Sequence, residues 1–93
     1  MNTSKTVQLL MERGYTEHNA QLVAKEITNL HKELIPLWQI WVTNGTCSDY
    51  EQDGYSIKGL MKKLSMQFPA ALLTIDWLIK EPEKAKVALK RQH

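Results

Sequence analysis

The sequence predicts an all-α protein, a small bundle of four to five helices around a long central helix that is kinked near Pro36. Three observations predict this fold class. The chain has only four glycines and three prolines. No stretch sustains the alternation of apolar and polar residues that is typical of strands. Apolar residues instead recur at helical spacing. The 93 residues suit one domain, so we expect a single helical domain over residues 1–93.

The N-terminal segment predicts two consecutive helices. The first covers residues 4–13, and Gly14 suits the position just after its end. Thr16 can cap the second helix, because its side-chain oxygen can accept a hydrogen bond from a free N–H of the first turn. Tyr15 and Ala20 flank this cap at the spacing of a hydrophobic staple. A tight turn between two helices follows from this pattern.

The long central helix is predicted from an apolar heptad pattern. The residues spaced alternately by three and four are Ala20, Val23, Ile27, Leu30, Leu34, Leu37 and Trp41. The pattern keeps its phase through Pro36, although proline inside a helix costs about 3 kcal/mol. We therefore predict one helix over residues 17–43, kinked near Lys32–Pro36. The alternative is two helices that meet at Ile35, because the residue before proline avoids helical angles.

The predicted central helix is too long for the domain. About 28 helical residues span roughly 42 Å, whereas a compact domain of this size is roughly 32 Å across. Either Pro36 bends the helix back or its end pairs with a second copy of the chain. Apolar residues also crowd residues 35–42, more than one buried stripe requires. This crowding predicts a partner-binding surface at Ile35, Trp38, Ile40 and Val42.

The second half of the chain predicts a polar loop and three further helices. The loop covers residues 44–54, and Asn44-Gly45 suits the end of the preceding helix. The next helices are expected to begin at Ser56, Pro69 and Pro82, since serine caps helices and proline is favoured in a first turn. We expect all three tryptophans in or beside the core; they are Trp38, Trp41 and Trp77.

The stretch DYEQDG, residues 49–54, is similar to the start of a calcium-binding loop. Asp49, Glu51, Asp53 and Gly54 occupy loop positions 1, 3, 5 and 6. Position 12, which must supply two carboxylate oxygens, is Leu60. Because Leu60 has no oxygen ligand, we interpret the stretch as a solvated acidic turn before a capped helix.

No other motif predicts a metal, a cofactor or catalysis. Cys47 is the only cysteine, and His18, His31 and His93 lack the pairing of zinc ligands. Nucleophilic catalysis would need Cys47 beside an oriented histidine, which the sequence does not indicate. No glycine-rich phosphate loop is present. We therefore expect no cofactor and no enzymatic activity.

Cysteine content and hydropathy bear on the location of the protein. A single cysteine cannot form an internal disulfide, and the first residues contain no apolar run typical of a signal peptide. No stretch approaches the roughly 20 apolar residues of a membrane span. We expect a cytoplasmic protein that does not enter membranes.

Basic residues favour nucleic-acid binding as an alternative function. Residues 1–57 carry four bases and seven acids, for −3, and residues 58–93 carry eight bases and three acids, for +5. The candidate phosphate contacts are Lys58, Lys62, Lys63, Lys84, Lys86, Lys90 and Arg91. The apolar helix from Pro69 is a poor reader of bases, because only Thr74, Asp76 and Lys80 are polar in its sequence.

Residues 9–27, LLMERGYTEHNAQLVAKEI, resemble in outline the start of ubiquitin-associated domains. Those domains have a short helix, a Met-Gly-aromatic loop and a second helix with inward alanine and leucine. Here Glu12 and Arg13 separate Met11 from Gly14-Tyr15, so the loop motif is not contiguous. We carry over no ubiquitin binding and assign no family. The leading hypothesis is a non-enzymatic protein-interaction module, whose partner is another protein or a second copy of the chain.

Overall fold

The all-α fold class is confirmed by the computed structural model, which describes residues 3–91. This part of the chain contains six helices and one two-stranded hairpin. In chain order they are α1 (Thr3–Glu12), α2 (Glu17–Ile27), α3 (Ile35–Asn44), β1 (Glu51–Gln52), β2 (Tyr55–Ser56), α4 (Ile57–Lys63), α5 (Phe68–Lys80) and α6 (Pro82–Lys90). They form two compact units, one ending at Thr46 and one beginning at Cys47. The single domain over residues 1–93 therefore stays a prediction.

The turn between α1 and α2 follows the sequence prediction. Gly14 adopts a φ of 101°, a left-handed conformation that glycine tolerates without a steric penalty. The Tyr15 N–H donates to the Leu10 carbonyl at 3.1 Å. The Thr16 hydroxyl then accepts a hydrogen bond from the Asn19 N–H at 3.2 Å, which caps α2. The predicted cap is confirmed.

The single kinked helix over residues 17–43 is wrong. The chain leaves the helical path after Ile27 and re-enters it at Ile35, so the alternative of two helices describes the structure. Pro36 lies in the first turn of α3. Proline is favourable there, because its missing N–H would have no helical partner. Further inside a helix, its ring would clash with the carbonyl four residues back, that of Lys32.

The connection between α2 and α3 is a series of local turns. The Thr28 hydroxyl donates to the Lys25 carbonyl at 2.6 Å, and the Leu34 N–H donates to the His31 carbonyl at 2.9 Å. Most of the heptad positions are nevertheless buried; they are Ala20, Ile27, Leu30, Leu34 and Trp41. The apolar pattern thus survives a break in the helix. Neither α2 nor α3 exceeds 11 residues, so the predicted helix that is too long for the domain does not form.

A β-hairpin occupies part of the predicted polar loop. Its paired residues are Glu51 with Ser56 and Gln52 with Tyr55. Asp53 and Gly54 form the turn, both with positive φ, 53° and 85°. Two left-handed residues are the requirement of a type I′ turn, which matches the twist of a hairpin. Ser56 also caps α4, as predicted, since its hydroxyl accepts from the Gly59 N–H at 2.9 Å.

Helix α5 organises the second unit. It packs against both α4 and α6. Its buried residues are Phe68, Pro69, Ala71, Leu72, Ile75, Asp76 and Leu78. Pro69 and Pro82 lie in the first turns of α5 and α6, as predicted. Of the three tryptophans expected in or beside the core, Trp38 and Trp41 are buried in it, and Trp77 is 36% exposed.

Candidate functional site

A groove of about 480 Å³ lies between α1 and α3 in the first unit. Lys5 and Leu9, one turn apart, contribute from α1. Pro36 and Ile40, also one turn apart, contribute from α3. Pockets of several hundred Å³ with mostly apolar walls are typical of binding sites. The residues lining this space define what we call the α1/α3 groove.

Three of the four predicted partner-binding residues lie in the α1/α3 groove. Trp38, Ile40 and Val42 line it, whereas Ile35 is half-buried and does not. Trp38 is 0% exposed and Val42 is buried, so both belong to the wall and core beneath the groove. Ile40 is 39% exposed and is the accessible apolar residue of the four. The structure therefore gathers most of the predicted set but assigns its members different positions.

An aromatic cluster supports the wall of the groove. The rings of Trp38 and Trp41 lie 5.6 Å apart at an angle of 36°. Tyr15 meets Trp41 edge to face, with centroids 6.4 Å apart. Partial burial raises the pKa of the Tyr15 phenol above its ordinary value of 10.0, because the charged phenolate is less well solvated there. Through these rings, the turn before α2 contacts Trp41, which packs against the groove residue Trp38.

The indole nitrogen of Trp38 is unusual. Its Nε1 atom is buried and has no hydrogen-bond partner among the residues that the structure describes. Buried polar groups nearly always have such a partner. Leaving a buried donor unsatisfied costs about 1–3 kcal/mol. The wall of the groove thus contains an unused hydrogen-bond donor.

The polar residues at the end of α3 are held by local hydrogen bonds. The Thr43 hydroxyl donates to the Gln39 carbonyl at 2.6 Å. The Asn44 side-chain oxygen accepts from the Thr46 N–H at 3.0 Å. Gly45, with a φ of 81°, ends the helix by donating its N–H to the Trp41 carbonyl. These bonds fix the part of the groove that α3 supplies.

Lys5 is the only charged residue among the described residues that line the groove. Neither Lys5 nor Leu9 was predicted from the sequence as part of a site. Their role depends on the packing of α1 against α3, which joins residues about 30 positions apart. No local pattern in α1 indicates that contact.

The acidic stretch before α4 has a structural use. The Asp49 carboxylate accepts hydrogen bonds from the N–H groups of Tyr50 and Lys58, at 2.9 and 3.2 Å. Glu51 lies in β1 and Asp53 in the hairpin turn. Within residues 3–91, no three side chains of the types that bind metals come together.

The other candidate ligands are scattered. Cys47 is half-buried and not in a disulfide. His18 is exposed, and the half-buried His31 accepts a hydrogen bond from the Glu33 N–H at 3.2 Å through Nδ1. His93 lies outside the described residues. The expectations of no cofactor and no enzymatic activity remain predictions.

The lysines of the nucleic-acid alternative lie on α4 and α6, and Arg91 directly follows α6. Two of them are within reach of acids: Lys84 lies 3.1 Å from Glu81, and Lys86 lies 3.8 Å from Asp53. Residues two apart in a helix are separated by about 200° around its axis. Lys84 and Lys86 therefore point to opposite sides of α6. The predicted cations do not form a single stripe on this helix.

Comparisons with other proteins identify no relative. No family model matches the chain, and neither curated proteins nor solved structures give a significant match. The outline resemblance to ubiquitin-associated domains is thus not supported by a family match. Among the described helices, none combines the length and the apolar character needed to cross a membrane.

Proposed function

We propose that the chain is a non-enzymatic protein-interaction module and that the α1/α3 groove is its docking surface. The observation that carries the proposal is the position of Ile40, an exposed apolar side chain at a groove whose wall contains the buried Trp38. Interfaces are enriched in aromatic residues and have well-packed apolar centres. Hot spots cluster where an apolar anchor fills such a pocket. The groove thus offers an accessible apolar contact at Ile40 and a wall that contains the buried Trp38.

The proposal includes a cytoplasmic location. Cys47 is a free thiol, and structural disulfides are rare in the cytosol. A single half-buried thiol is compatible with that compartment. Fractionation of cells that express the full natural protein at its own level would check the location. Recovery in the membrane or extracellular fraction would contradict it.

An affinity-capture experiment with matched variants tests the docking surface. The baits are the wild-type chain, Ile40→Lys and Leu22→Lys. Leu22 is a suitable control because it lies on α2, is 51% exposed and does not line the groove. We expect proteins retained by wild type and by Leu22→Lys to be lost from Ile40→Lys. Circular dichroism of each bait checks that the helices are intact.

One result would contradict the docking surface: wild type retains no protein that Ile40→Lys does not also retain. Sedimentation of the wild type at several concentrations adds a test of self-association. A dimer that Ile40→Lys disrupts would make a second copy the occupant of the groove.

Nucleic-acid binding remains the second candidate, favoured by the charge of +5 over residues 58–93 and by exposed lysines on α4 and α6. A gel-shift titration with duplex and single-stranded DNA at two salt concentrations decides it. Binding that falls steeply with salt would support phosphate contacts. The residues to neutralise would then be Lys58, Lys62, Lys63, Lys84, Lys86, Lys90 and Arg91. No binding at low salt would remove this candidate.

A further inference from the structure

We infer that the outer face of α4 binds the phosphate backbone of duplex nucleic acid through Lys58, Lys62 and Lys63, without reading its base sequence. The inference rests on the second candidate function, nucleic-acid binding, and assigns that activity to one surface of the second unit. It follows from the ion pairs of the lysines, from their positions around α4 and from the side chains that α4 lacks.

The ion pairs of the second unit separate its lysines into two groups. On α5 and α6, three lysines lie close to acids; the pairs are Lys80 with Asp76, Lys84 with Glu81 and Lys86 with Asp53. By contrast, no ion pair joins Lys58, Lys62 or Lys63 to an acid within residues 3–91. The sequence of α4, IKGLMKK, contains no acid either. Helix α4 therefore carries a cluster of positive charge that favours a polyanion as its partner.

The three lysines of α4 share the side that faces away from the core. Their positions span about 140° of the helix circumference, since successive residues turn by about 100°. The buried Ile57 and Leu60 occupy the opposite side. Gly59 falls between the lysines on the outer side, and it has no side chain that would keep a phosphate backbone at a distance. The outer face of α4 thus places its cations around a point of close approach.

Acids partly offset the positive charge of α6. Lys84 and Arg91 line one shallow surface, and the acid Glu83 lines it too. Lys84 also pairs with Glu81 at 3.1 Å. Opposite charges within one patch lower the potential that a polyanion meets. The seven candidate cations are therefore unequal, and those of α4 form the stronger surface.

An acid lies at the amino end of α4 and grades the expected contributions of the three lysines. The Asp49 carboxylate accepts a hydrogen bond from the Lys58 N–H at 3.2 Å. Lys62 and Lys63 lie in the last turn of α4, about one turn further along the helix. Because attraction and repulsion both weaken with distance, Asp49 opposes phosphate binding most at Lys58. We expect Lys62 and Lys63 to contribute more than Lys58.

The composition of the outer face favours nucleic acid over a protein or a membrane. Lysine is depleted in protein–protein interfaces, whose centres are apolar. Helices that bind membrane surfaces insert apolar side chains into the lipid, whereas Ile57 and Leu60 of α4 are buried. Binding to nucleic acid without sequence specificity needs only cations that neutralise phosphates. A phosphate backbone is therefore the polyanion that suits this face.

The side chains that α4 lacks define the form of the nucleic acid. Arginine, asparagine and glutamine, which read base edges with paired hydrogen bonds, are absent from its sequence. Aromatic residues, on which the bases of a single strand stack, are absent from it as well. Phosphate contacts position a protein on a duplex without specifying the sequence. We therefore expect binding to duplexes with little preference among sequences.

Fluorescence anisotropy with two labelled DNA duplexes of unrelated sequence tests the inference. The proteins are wild type and two variants that are matched in charge. The α4 variant carries Lys58→Gln, Lys62→Gln and Lys63→Gln, and the α6 variant carries Lys84→Gln, Lys86→Gln and Lys90→Gln. Circular dichroism checks that the helices are intact in both. Polyglutamate and a labelled single strand are the competing probes.

The inference predicts a loss that is confined to the α4 variant. Wild type should bind both duplexes alike, and three phosphate contacts predict that its affinity falls about 40-fold between roughly 50 and 200 mM salt. The α4 variant should bind more than about tenfold less tightly at the lower salt, and the α6 variant should resemble wild type. Lys62→Gln or Lys63→Gln alone should reduce the salt slope by about 1, and Lys58→Gln by less.

The outcomes separate the inference from the candidate function. If wild type binds neither duplex at low salt, both are overturned. If wild type binds but the α4 variant binds as tightly, or the α6 variant loses more, only the inference is overturned. Tighter binding to one duplex than to the other, or to the single strand than to either, would overturn sequence-independent duplex binding. Displacement of the duplex by an equal concentration of polyglutamate charges would identify an acidic protein surface as the partner instead.

Discussion

Helices α3 and α5 have a similarly apolar composition but leave different surfaces. Both are rich in apolar residues, and both have a proline in the first turn. Helix α5 packs against α4 and α6, and most of its described apolar residues are buried, although Trp77 is 36% exposed. Helix α3 packs against α1 and leaves Ile40 exposed beside an open groove. A high apolar content therefore predicts that a helix packs against other parts of the chain, but the neighbouring helices determine which of its faces stays exposed.

The comparison of α5 with α3 predicts its largest effect for substitutions of single apolar residues, which should lower the free energy of unfolding by very different amounts in the two helices. Leu72→Ala in α5 should lower the free energy of unfolding by about 2–5 kcal/mol, because Leu72 is fully buried and a cavity would remain. Ile40→Ala in α3 should cost less than about 1 kcal/mol, since much of that side chain is already in water. Urea denaturation of both variants measures the difference. Equal losses would mean that Ile40 is buried in solution.

The first turns of the helices allow a second comparison, in which the expected changes in the free energy of unfolding are smaller. Neither α3 nor α5 has a side-chain cap, whereas Ser56 caps α4 through the Gly59 N–H. Ser56→Ala should cost about 1 kcal/mol, because a first-turn N–H loses its acceptor. Gln67→Ala at the uncapped start of α5 should change stability by less than about 0.5 kcal/mol. Denaturation midpoints compare the two. A larger loss for Gln67→Ala would contradict the assignment of the caps.

The smallest expected effect concerns the aromatic cluster beside α3. The pKa of Tyr15 is raised in the folded state, so folding favours the neutral phenol. The stabilisation that Tyr15 contributes to the folded state is fully present below the unfolded pKa of about 10, and it is lost as pH rises through the folded pKa. Stability should therefore fall slightly above pH 10, and Tyr15→Phe should reduce that fall. Denaturation between pH 8 and pH 11 measures it. An unchanged profile in Tyr15→Phe would assign the fall to other groups.

Features determined by neighbouring residues could be predicted from the sequence. The caps at Thr16 and Ser56 need only a hydroxyl and the next three residues, and the first-turn prolines act through their own rings. The hairpin was missed, although Asp53-Gly54 is a strong signal for a type I′ turn. Its strands have two residues each, too few to show alternation.

The central helix and the groove show the limits of local reasoning. The spacing of the heptad residues through Pro36 predicted one helix. A chain with turns at residues 28–34 nevertheless buries most of the same residues. Spacing records which residues face inward and does not require unbroken hydrogen bonds. The α3 side of the groove was predicted from the sequence, and the α1 side was not. Trp38, Ile40 and Val42 stand in one apolar run, whereas Lys5 and Leu9 join them only through the packing of α1.

Hydrogen exchange on the protein bound to its captured partner tests the docking surface most directly. It reports protection along the backbone without any substitution. The account predicts that binding slows exchange in α1 and α3, which line the groove, with little change in α6. Protection confined to α4 and α6, with α1 and α3 exchanging as in the free protein, would contradict it.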